Sequence, residues 1–285
     1  MPSWRSSATH SALRPALAPA PPGRAAPTLP CSLVSCSDGY VTSTADQRAA
    51  LASRDVAGLT FAAEMYGLQL DQLAALLQLT NRQASAIVTR WASSGLATSA
   101  VLGPGPAWVW LTRAGLTACG LRYAASTPAL ARLAHIRAVT AVRLALAAVP
   151  AYRNASAHWR SERRLRARVG GRLGLRDHLP DAEVHWPDSA PVGSAGECWA
   201  IEAELTPKTV VRTTAIMREL LTRTGDYGCP AAEARVPGAP PRHARAIYVC
   251  TPSAASTVAR ARDALGTLAA RIEIRALPAA AQVPP

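Results

Sequence analysis

The strongest constraint on the fold is a pair of helices, joined by a tight turn, between residues 70 and 94. The run 70–77 predicts a short helix, and Thr80 with Gln83 three residues later forms a capping box for a second helix that begins at Asn81. Gly95 is a natural residue to end that helix. Apolar residues at i, i+3, i+4 and i+7 form one buried stripe along it: Ala84, Ile87, Val88 and Trp91. The pattern therefore predicts helix-turn-helix geometry.

A β-hairpin is predicted directly after the capped helix. Residues 96–102 and 107–111 are the predicted strands, and a Gly-Pro-Gly-Pro turn separates them. Thr112 then caps a further helix, and residues 54–66 predict a helix in front of the pair. This order of elements predicts a winged helix-turn-helix domain over residues 50–125.

The outward face of the capped helix is polar. Its residues are of the kinds that contact phosphates and base edges in duplex DNA: Asn81, Arg82, Ser85, Thr89 and Arg90. The string from Val109 to Gly115 resembles the wing exit of MarR-like winged helices. That resemblance implies DNA binding or, because many winged helices bind proteins, a packing module without DNA.

The charge of the whole chain favours a polyanionic partner. The chain has 285 residues and a net charge of +13, although only 17% of its residues are charged. Such a balance favours nucleic acid as a partner, and it also keeps proteins soluble. No apolar run is long enough to span a bilayer, so we expect a cytoplasmic protein without a membrane partner.

Composition divides the rest of the chain into several parts. Residues 1–48 are rich in Pro, Ala and Ser and predict a disordered tail. Residues 126–150 predict a linker helix, since apolar residues recur at helical spacing between two prolines. Strands and helices alternate over residues 151–278, which predicts an α/β domain, and residues 279–285 predict a frayed C-terminus. The predicted fold class is thus α/β (α+β) in two domains.

A basic run opens the second domain. Eight arginines lie between residues 153 and 176. A phosphate-contacting surface and a solvated helix face both explain such a run. Under the first interpretation Arg160, Arg163 and Arg164 contact DNA.

Two predicted strands carry acidic residues. Polar and apolar residues alternate over 181–186, and Asp181 lies on the polar face. In residues 198–205, Glu202 and Glu204 share one face of an otherwise apolar strand, where repulsion and desolvation require a metal or a nearby cation. A short turn joins the strands, so we expect them to be neighbours and their acids to converge.

The only lysine of the chain follows the second of these strands. Thr206 and Pro207 predict the start of a helix, with Thr206 as its N-cap. Lys208 then lies in the first turn, where a cation is unfavourable for the helix dipole. We expect Lys208 to point at the converging acids or to pair with Glu204 as a surface lysine.

Three stretches resemble the replication-relaxation family of actinobacterial plasmids and integrative elements, which joins a winged helix to a PD-(D/E)xK nuclease-like domain. They are Trp159–Arg163, Pro180-Asp181 and Ile201–Lys208. The resemblance implies a restriction-endonuclease-like second domain and binding of double-stranded DNA in replication or transfer of a mobile element. Replication or conjugation proteins and a second copy of the chain are the protein partners that it allows.

In active members of the nuclease superfamily the matching positions are catalytic. The resemblance makes Glu162 the helix acid, Asp181 the strand acid and Glu202 the acid of the ExK pair. The hard oxygens of Asp181 and Glu202 suit Mg²⁺. Glu204 stands at the expected lysine position, and Lys208 is its candidate replacement. A metal-dependent DNA endonuclease, or nickase, is therefore one alternative function. A MarR-like transcriptional regulator with a dimerisation or partner-binding C-terminal domain is the other.

The cysteines do not form a recognisable site in the sequence. All six are scattered, with no CxxC pair and no neighbouring histidines at zinc spacing. We interpret them as free thiols in a reducing compartment.

Overall fold

Helices and strands alternate along the chain in the computed structural model, which describes residues 51–170, 178–190, 194–227 and 237–281. This mixture confirms the predicted α/β character at the level of fold class. All described residues lie within one compact unit, Thr44–Pro285. The predicted tail over residues 1–48 lies outside the described residues, as do residues 282–285 of the predicted frayed end. None of the described helices is both long and apolar enough to cross a membrane.

Between residues 51 and 125 the structure describes four helices and three strands. They are α1 (Ser53–Glu64), β1 (Leu68–Gln69), α2 (Leu70–Leu77), α3 (Asn81–Ser93), β2 (Ala97–Ala100), β3 (Trp108–Leu111) and α4 (Arg113–Ala118). The strands form an antiparallel sheet in the order β1-β3-β2. β2 and β3 are the two arms of a hairpin directly after α3, as the sequence predicts.

Local sequence explains where α3 begins and ends. The Thr80 hydroxyl accepts a hydrogen bond from the Gln83 amide at 3.3 Å, and the Gln83 side chain accepts one from the Thr80 amide at 2.9 Å. These bonds satisfy amides that the first turn of a helix leaves unpaired. Gly95 follows the helix with a φ of 68°, in the left-handed region that favours glycine.

Trp91, in the apolar stripe of α3, packs against α1. Trp91 is 1% exposed, and Ile87 and Val88 belong to the same hydrophobic core. Gly58 of α1 leaves room for the indole, because a Cβ at Gly58 would lie 2.8 Å from the Trp91 ring. This packing holds the two helices together and leaves the opposite face of α3 in solvent.

The segment predicted as a linker helix is helical and largely buried. After a 3-10 turn at Leu130–Arg132, α5 covers Leu133–Ala147 and is followed by the short α6 (Pro150–Asn154). Val139 and Val142 of α5 belong to a hydrophobic core that contains side chains from both halves of the chain. α5 therefore joins the halves by packing between them.

The second half is built on a sheet that has five strands in the described residues. Its elements are β4 (His158–Ser161), α7 (Glu162–Val169), β5 (Ala182–His185), β6 (Cys198–Glu204), α8 (Val210–Thr222), β7 (Arg245–Cys250), α9 (Pro252–Asp263) and β8 (Ile272–Ala276). The strand order is β4-β5-β6-β7-β8. β4, β5 and β6 pair antiparallel, whereas β6, β7 and β8 pair parallel. β5 and β6 are neighbours, as the sequence predicts.

Both faces of this sheet are covered. Ile201 packs in the core shared with α5, whereas Ala200 and Tyr248 pack in a second core with side chains of α8 and α9. Because side chains alternate along a strand, Glu202 and Glu204 share the face of Ala200. The two glutamates are therefore 3% and 4% exposed and lie inside the molecule.

α8 begins later than the sequence predicts. The predicted start at Thr206-Pro207 is wrong, because Thr209 is the N-cap and its hydroxyl accepts a hydrogen bond from the Arg212 amide at 3.2 Å. Lys208 therefore lies in the loop before the helix, outside the first turn. In that loop it can turn back towards the end of β6 without opposing the helix dipole.

Candidate functional site

The residues of α3 that we expected to contact DNA are exposed: Asn81, Arg82, Ser85, Thr89 and Arg90. Arg90 forms an ion pair with Asp55 of α1 at 2.8 Å, while 55% of its side chain stays exposed. Arg82 has no acidic partner within the residues that the structure describes. No acid in the described part of the chain thus compensates the charge of Arg82, whereas Arg90 ties α3 to α1.

The acidic residues of the first half turn inward. Residues 51–125 contain three acids. Asp55 pairs with Arg90, Glu64 with Arg143 and Asp71 with Arg137, at N–O distances of 2.7–2.8 Å. The other arginines of this region are exposed and have no acidic partner in the described part of the chain: Arg54, Arg82, Arg113 and Arg122. The solvent-facing charge of this half is consequently cationic.

Arg163 is buried, which separates it from the other arginines predicted to contact DNA. It donates hydrogen bonds to the carbonyls of Ala63 at 2.6 Å and Ala124 at 2.5 Å. Its guanidinium also lies over the rings of Tyr66 and Tyr123, 4.8 and 4.9 Å from their centroids. Arg163 thus clamps α7 to the first half and lies away from any DNA-contacting surface.

The two other predicted arginines of the basic run differ in exposure. The side chain of Arg164 is 58% exposed and lies 3.9 Å from Glu64. Arg160 on β4 is half-buried. Arg172 and Arg176, at the end of the run, lie outside the described residues. Arg164 is therefore the better exposed of these two cations.

Asp181 is held just before β5 by two partners. Its Oδ1 lies 2.8 Å from Nε2 of His135 on α5, and its Oδ2 accepts a hydrogen bond from the Ala203 amide at 2.8 Å. Burial lowers the pKa of His135, but the hydrogen bond and charge of Asp181 outweigh burial and raise it. His135 is therefore biased towards the cation that compensates Asp181.

Glu202 is paired with a second histidine. Nε2 of His178 lies 2.7 Å from Oε1 of Glu202. Burial raises the pKa of Glu202, since the carboxylate is almost fully removed from water. Burial lowers the pKa of His178, yet the charge and hydrogen bond of Glu202 outweigh it, so the net shift is upward. The pair consequently retains a proton more strongly than either group does in water.

Glu204 has its own cation. Lys208 turns back from the loop before α8 and forms an ion pair with the Glu204 carboxylate. The Tyr248 hydroxyl on β7 is buried without a hydrogen-bond partner among the described residues. Burial, followed by the charges of Glu202 and Glu204, raises the pKa of Tyr248 well above its usual value. A neutral phenol therefore packs beside the two acids.

Glu162 begins α7 and faces the same cleft as Asp181. Arg132 and Arg166 bind its two oxygens at 2.9 and 2.5 Å. Burial raises the pKa of Glu162, but these two arginines outweigh it and the net shift is downward. Both acids line a cleft with Arg132 and His135, between the first and second halves.

The predicted catalytic residues lie on adjoining elements, but their side chains do not converge on one solvent-accessible site. Asp181 is near enough to raise the pKa of Glu202, and the charge of Lys208 lowers it. Glu162 meets Asp181 in the cleft. Glu204 is drawn aside into its pair with Lys208. Each acid thus has a cation, a histidine or an amide of its own.

These groups fit a Mg²⁺ site poorly. Mg²⁺ requires deprotonated oxygen ligands in near-octahedral geometry and keeps several waters. Both oxygens of Asp181 have partners, one of them a main-chain amide. Glu202 is buried, and burial raises the pKa of its carboxyl, which opposes the deprotonated form that Mg²⁺ needs. His135, His178 and Lys208 supply the positive charge that a metal would bring, so no catalytic step through Mg²⁺ follows from this arrangement.

Three members of the site are absent from the sequence-based prediction: His135, His178 and Tyr248. His178 has a weak signal, because it lies three residues before Asp181. His135 contacts Asp181 across a separation of 46 residues, and Tyr248 meets Glu202 only through the register of β6 and β7. Tertiary packing brings His135 and Tyr248 to the acids, and spacing along the chain gives no signal for either of them.

Comparisons with known proteins do not identify a family. No protein-family profile matches the chain, and no curated protein matches it. A solved structure that matches is an O-methyltransferase family 2 protein from Planctomyces limnophilus DSM 3776 in complex with apigenin. It is 15% identical with a TM-score of 0.18, and the match covers 79% of this chain and 61% of that protein. The chain thus spans less than two thirds of that protein, and a likeness at this level carries no argument about function.

Proposed function

We propose that the protein binds double-stranded DNA and that α3 is the helix that enters the major groove. Helices α1 to α3, the β2–β3 hairpin and α4 follow the order of a winged helix-turn-helix. In such domains the second helix of the motif contacts base edges, and its neighbours contact the backbone. The proposal assigns DNA contacts to the exposed residues of α3, with Arg90 also positioning the helix through Asp55.

The observation that carries the proposal is the positive sign of the exposed charge in residues 51–125. All three acids of residues 51–125 are paired with arginines, so Arg82 and the other exposed arginines remain uncompensated in the described part of the chain. Duplex DNA is a dense polyanion, and cations that replace its counterions account for much of the affinity of such proteins. The net charge of +13 acts in the same direction.

We further propose that the second half has a restriction-endonuclease-like architecture and serves as a scaffold for DNA binding. The sheet with α7 before β5 and α8 between β6 and β7 supports this assignment of architecture. Compensation of every acid in the cluster supports a role without metal-dependent cleavage. A protein of this kind fits the replication-relaxation family, and its role would be in replication or transfer of a plasmid or integrative element.

Replacement of Arg82 tests the assignment of α3. Arg82→Ala should weaken duplex binding by roughly 5- to 150-fold, which corresponds to about 1–3 kcal/mol for one specific contact. The probe is a duplex enriched from a random library by the full chain, and fluorescence anisotropy measures the dissociation constant.

Arg260→Ala is the matched control for this experiment. Arg260 is exposed on α9 of the second half, so its loss removes one positive charge at a different place. Its dissociation constant should stay close to that of the wild type. Equal affinities of the Arg82→Ala variant and the wild type would remove α3 as the DNA-contacting helix.

A metal-dependent endonuclease is the second candidate, because Glu162 and Asp181 line one cleft. Under the scaffold proposal, supercoiled plasmid stays intact when the full chain is added with Mg²⁺ or Mn²⁺. Agarose gel electrophoresis detects the nicked form. If the wild type nicks the plasmid and the Asp181→Ala variant does not, the protein is a nuclease and the scaffold proposal is wrong.

The biological role is tested by the position of the binding sites. A chromatin-binding map in the host should show enrichment at the replication or transfer origin of a plasmid or integrative element. Enrichment at promoters instead would favour the alternative of a MarR-like regulator.

A further inference from the structure

We propose that the second half holds a site for a borderline-soft divalent metal of the Zn²⁺ type, formed by Glu183, His185, Cys198 and His243. We call these four residues the Cys–His cluster. His185 and Cys198 lie at the opposite end of β5 and β6 from Asp181 and Glu204, and the proposal is independent of DNA binding.

The sheet register brings the Cys–His cluster together. His185 on β5 is directly opposite Cys198 on β6. The Ala244 amide donates to the Cys198 carbonyl at 2.8 Å, which places His243 beside the beginning of β6. The four ligands therefore come from two strands and the segment that leads into β7.

The donor atoms of the Cys–His cluster lie near one another. One ligand atom each from Glu183, Cys198 and His243 lies within 4.8 Å of the others. Sγ of Cys198 is 3.6 Å from Nε2 of His185, which is itself 2.9 Å from Oε2 of Glu183. Ligand atoms around tetrahedral Zn²⁺ lie about 3.3–3.6 Å apart, given its usual bond lengths. Binding of a tetrahedral ion would therefore draw these donor atoms closer together.

His243 is oriented as a metal ligand. Its Nδ1 is 3.0 Å from the Leu220 carbonyl, which accepts only, so Nδ1 must carry the proton of that hydrogen bond. Nε2 then points at Oε1 of Glu183 at 3.0 Å. The Tyr227 hydroxyl lies 3.4 Å from the same Nε2, and a metal between Nε2 and Oε1 would be bound by both atoms. A backbone carbonyl that fixes the tautomer is the usual outer partner of a metal-binding histidine.

Arg242 fits the metal-bound form as a partner of the carboxylate. It binds both oxygens of Glu183, at 2.7 and 3.1 Å. Glu183 can give one oxygen to the metal while Arg242 keeps the other, since each oxygen has two lone pairs. Arg242 also binds Asp226, which balances its charge. The site formed by a divalent ion, one carboxylate and one thiolate then has no net charge.

The donor types select the metal. Imidazole and thiolate suit Zn²⁺ and similar ions, whereas Mg²⁺ and Ca²⁺ prefer oxygen alone. Burial, followed by the charge of Glu183, raises the pKa of the Cys198 thiol to about 12. This shift opposes loss of the thiol proton, so a metal must displace that proton to bind, and one proton leaves for each thiolate formed. His185 and Cys198 are half-buried and provide the entry path, whereas Glu183 and His243 are fully buried.

Cobalt substitution tests the site. The full chain, without a polyhistidine tag and stripped with EDTA, is titrated with Co²⁺ and followed by its absorption spectrum. We expect one equivalent of Co²⁺ to give the ligand-field bands of a tetrahedral ion and a thiolate-to-cobalt charge-transfer band, and Zn²⁺ to displace it. Cys198→Ser should remove the charge-transfer band and weaken binding by at least tenfold.

Cys250→Ser is the matched control, because Cys250 is a buried thiol of the same sheet outside the Cys–His cluster. It should leave the spectrum unchanged. A second measurement needs no variant: the X-ray absorption spectrum of the Zn²⁺-loaded wild type should show one sulfur ligand at about 2.3 Å beside nitrogen and oxygen ligands at about 2.0–2.2 Å. A wild type without the charge-transfer band, or without a sulfur ligand in the X-ray absorption spectrum, would overturn the proposal, and Glu183 would then have only Arg242 and the two histidines as its partners.

Discussion

Lys208 shows how one side chain controls the electrostatics of a buried strand. Glu202 and Glu204 lie on the same face of β6, and both are almost fully buried. Without compensation, two carboxylates at this spacing repel each other and lose their hydration. His178 serves Glu202 and Lys208 serves Glu204, so each acid has a separate partner.

Lys208→Ala should therefore lower the free energy of unfolding by about 1–3 kcal/mol, because Glu204 then stays buried without a counter-charge. Chemical denaturation measures the change. The double variant Lys208→Ala/Glu204→Gln should recover part of the loss, since the amide carries no charge.

Arg262→Ala is the control at the residue scale. Arg262 pairs with Asp263 on α9 at 2.9 Å, and 65% of the Asp263 side chain is exposed. An exposed pair contributes about 0–1 kcal/mol, so this variant should be close to the wild type. If Lys208→Ala were no more destabilising than Arg262→Ala, the counter-charge account of Lys208 would be wrong.

At the scale of elements, the contact between α1 and α3 positions the exposed face of α3 that we propose contacts DNA. Trp91 is fixed by burial and by a hydrogen bond from its Nε1 to Asp55 at 3.2 Å. Gly58 permits the close approach, because a Cβ there would lie 2.8 Å from the ring. The angle between α1 and α3 therefore depends on the absence of a Cβ at Gly58.

Gly58→Ala tests this contact between helices. Alanine is favoured over glycine inside a helix by about 1 kcal/mol, whereas overpacking costs about 1–3 kcal/mol. The indole cannot move easily, so the steric cost should win and the melting temperature should fall. Gly103→Ala is the control, since a Cβ there meets only Leu133 at 3.5 Å. A Gly58→Ala variant that is more stable than the wild type would contradict the tight packing.

At the scale of the whole molecule, local chemistry could be predicted and long-range contacts could not. The Thr80–Gln83 cap, the cap at Thr112 and the neighbouring strands β5 and β6 all follow from residues near one another in the chain. The start of α8 was mispredicted because two threonines, Thr206 and Thr209, compete as caps, and sequence alone does not decide between them.

The arginine run and the Cys–His cluster show why the rest was out of reach. Arg163 and Arg164 are adjacent in the sequence, yet one is a buried clamp and the other is exposed. Cys198 and His243 are separated by 45 residues, and only the parallel pairing of β6 with β7 makes them neighbours. Spacing rules for zinc sites assume ligands on short loops, so they give no signal for ligands collected across a sheet.

The salt dependence of duplex binding tests the central claim, DNA recognition by α3, most directly. The logarithm of the binding constant falls with the logarithm of the salt concentration, with a slope of about −0.9 for each phosphate neutralised. The full chain should bind the enriched duplex with a steep negative slope, and Arg82→Ala should weaken binding and, where Arg82 contacts a phosphate, reduce that slope by about one. Arg260→Ala should leave both unchanged. A wild type that does not bind duplex DNA, or whose affinity and salt slope are unaffected by Arg82→Ala, would contradict the account.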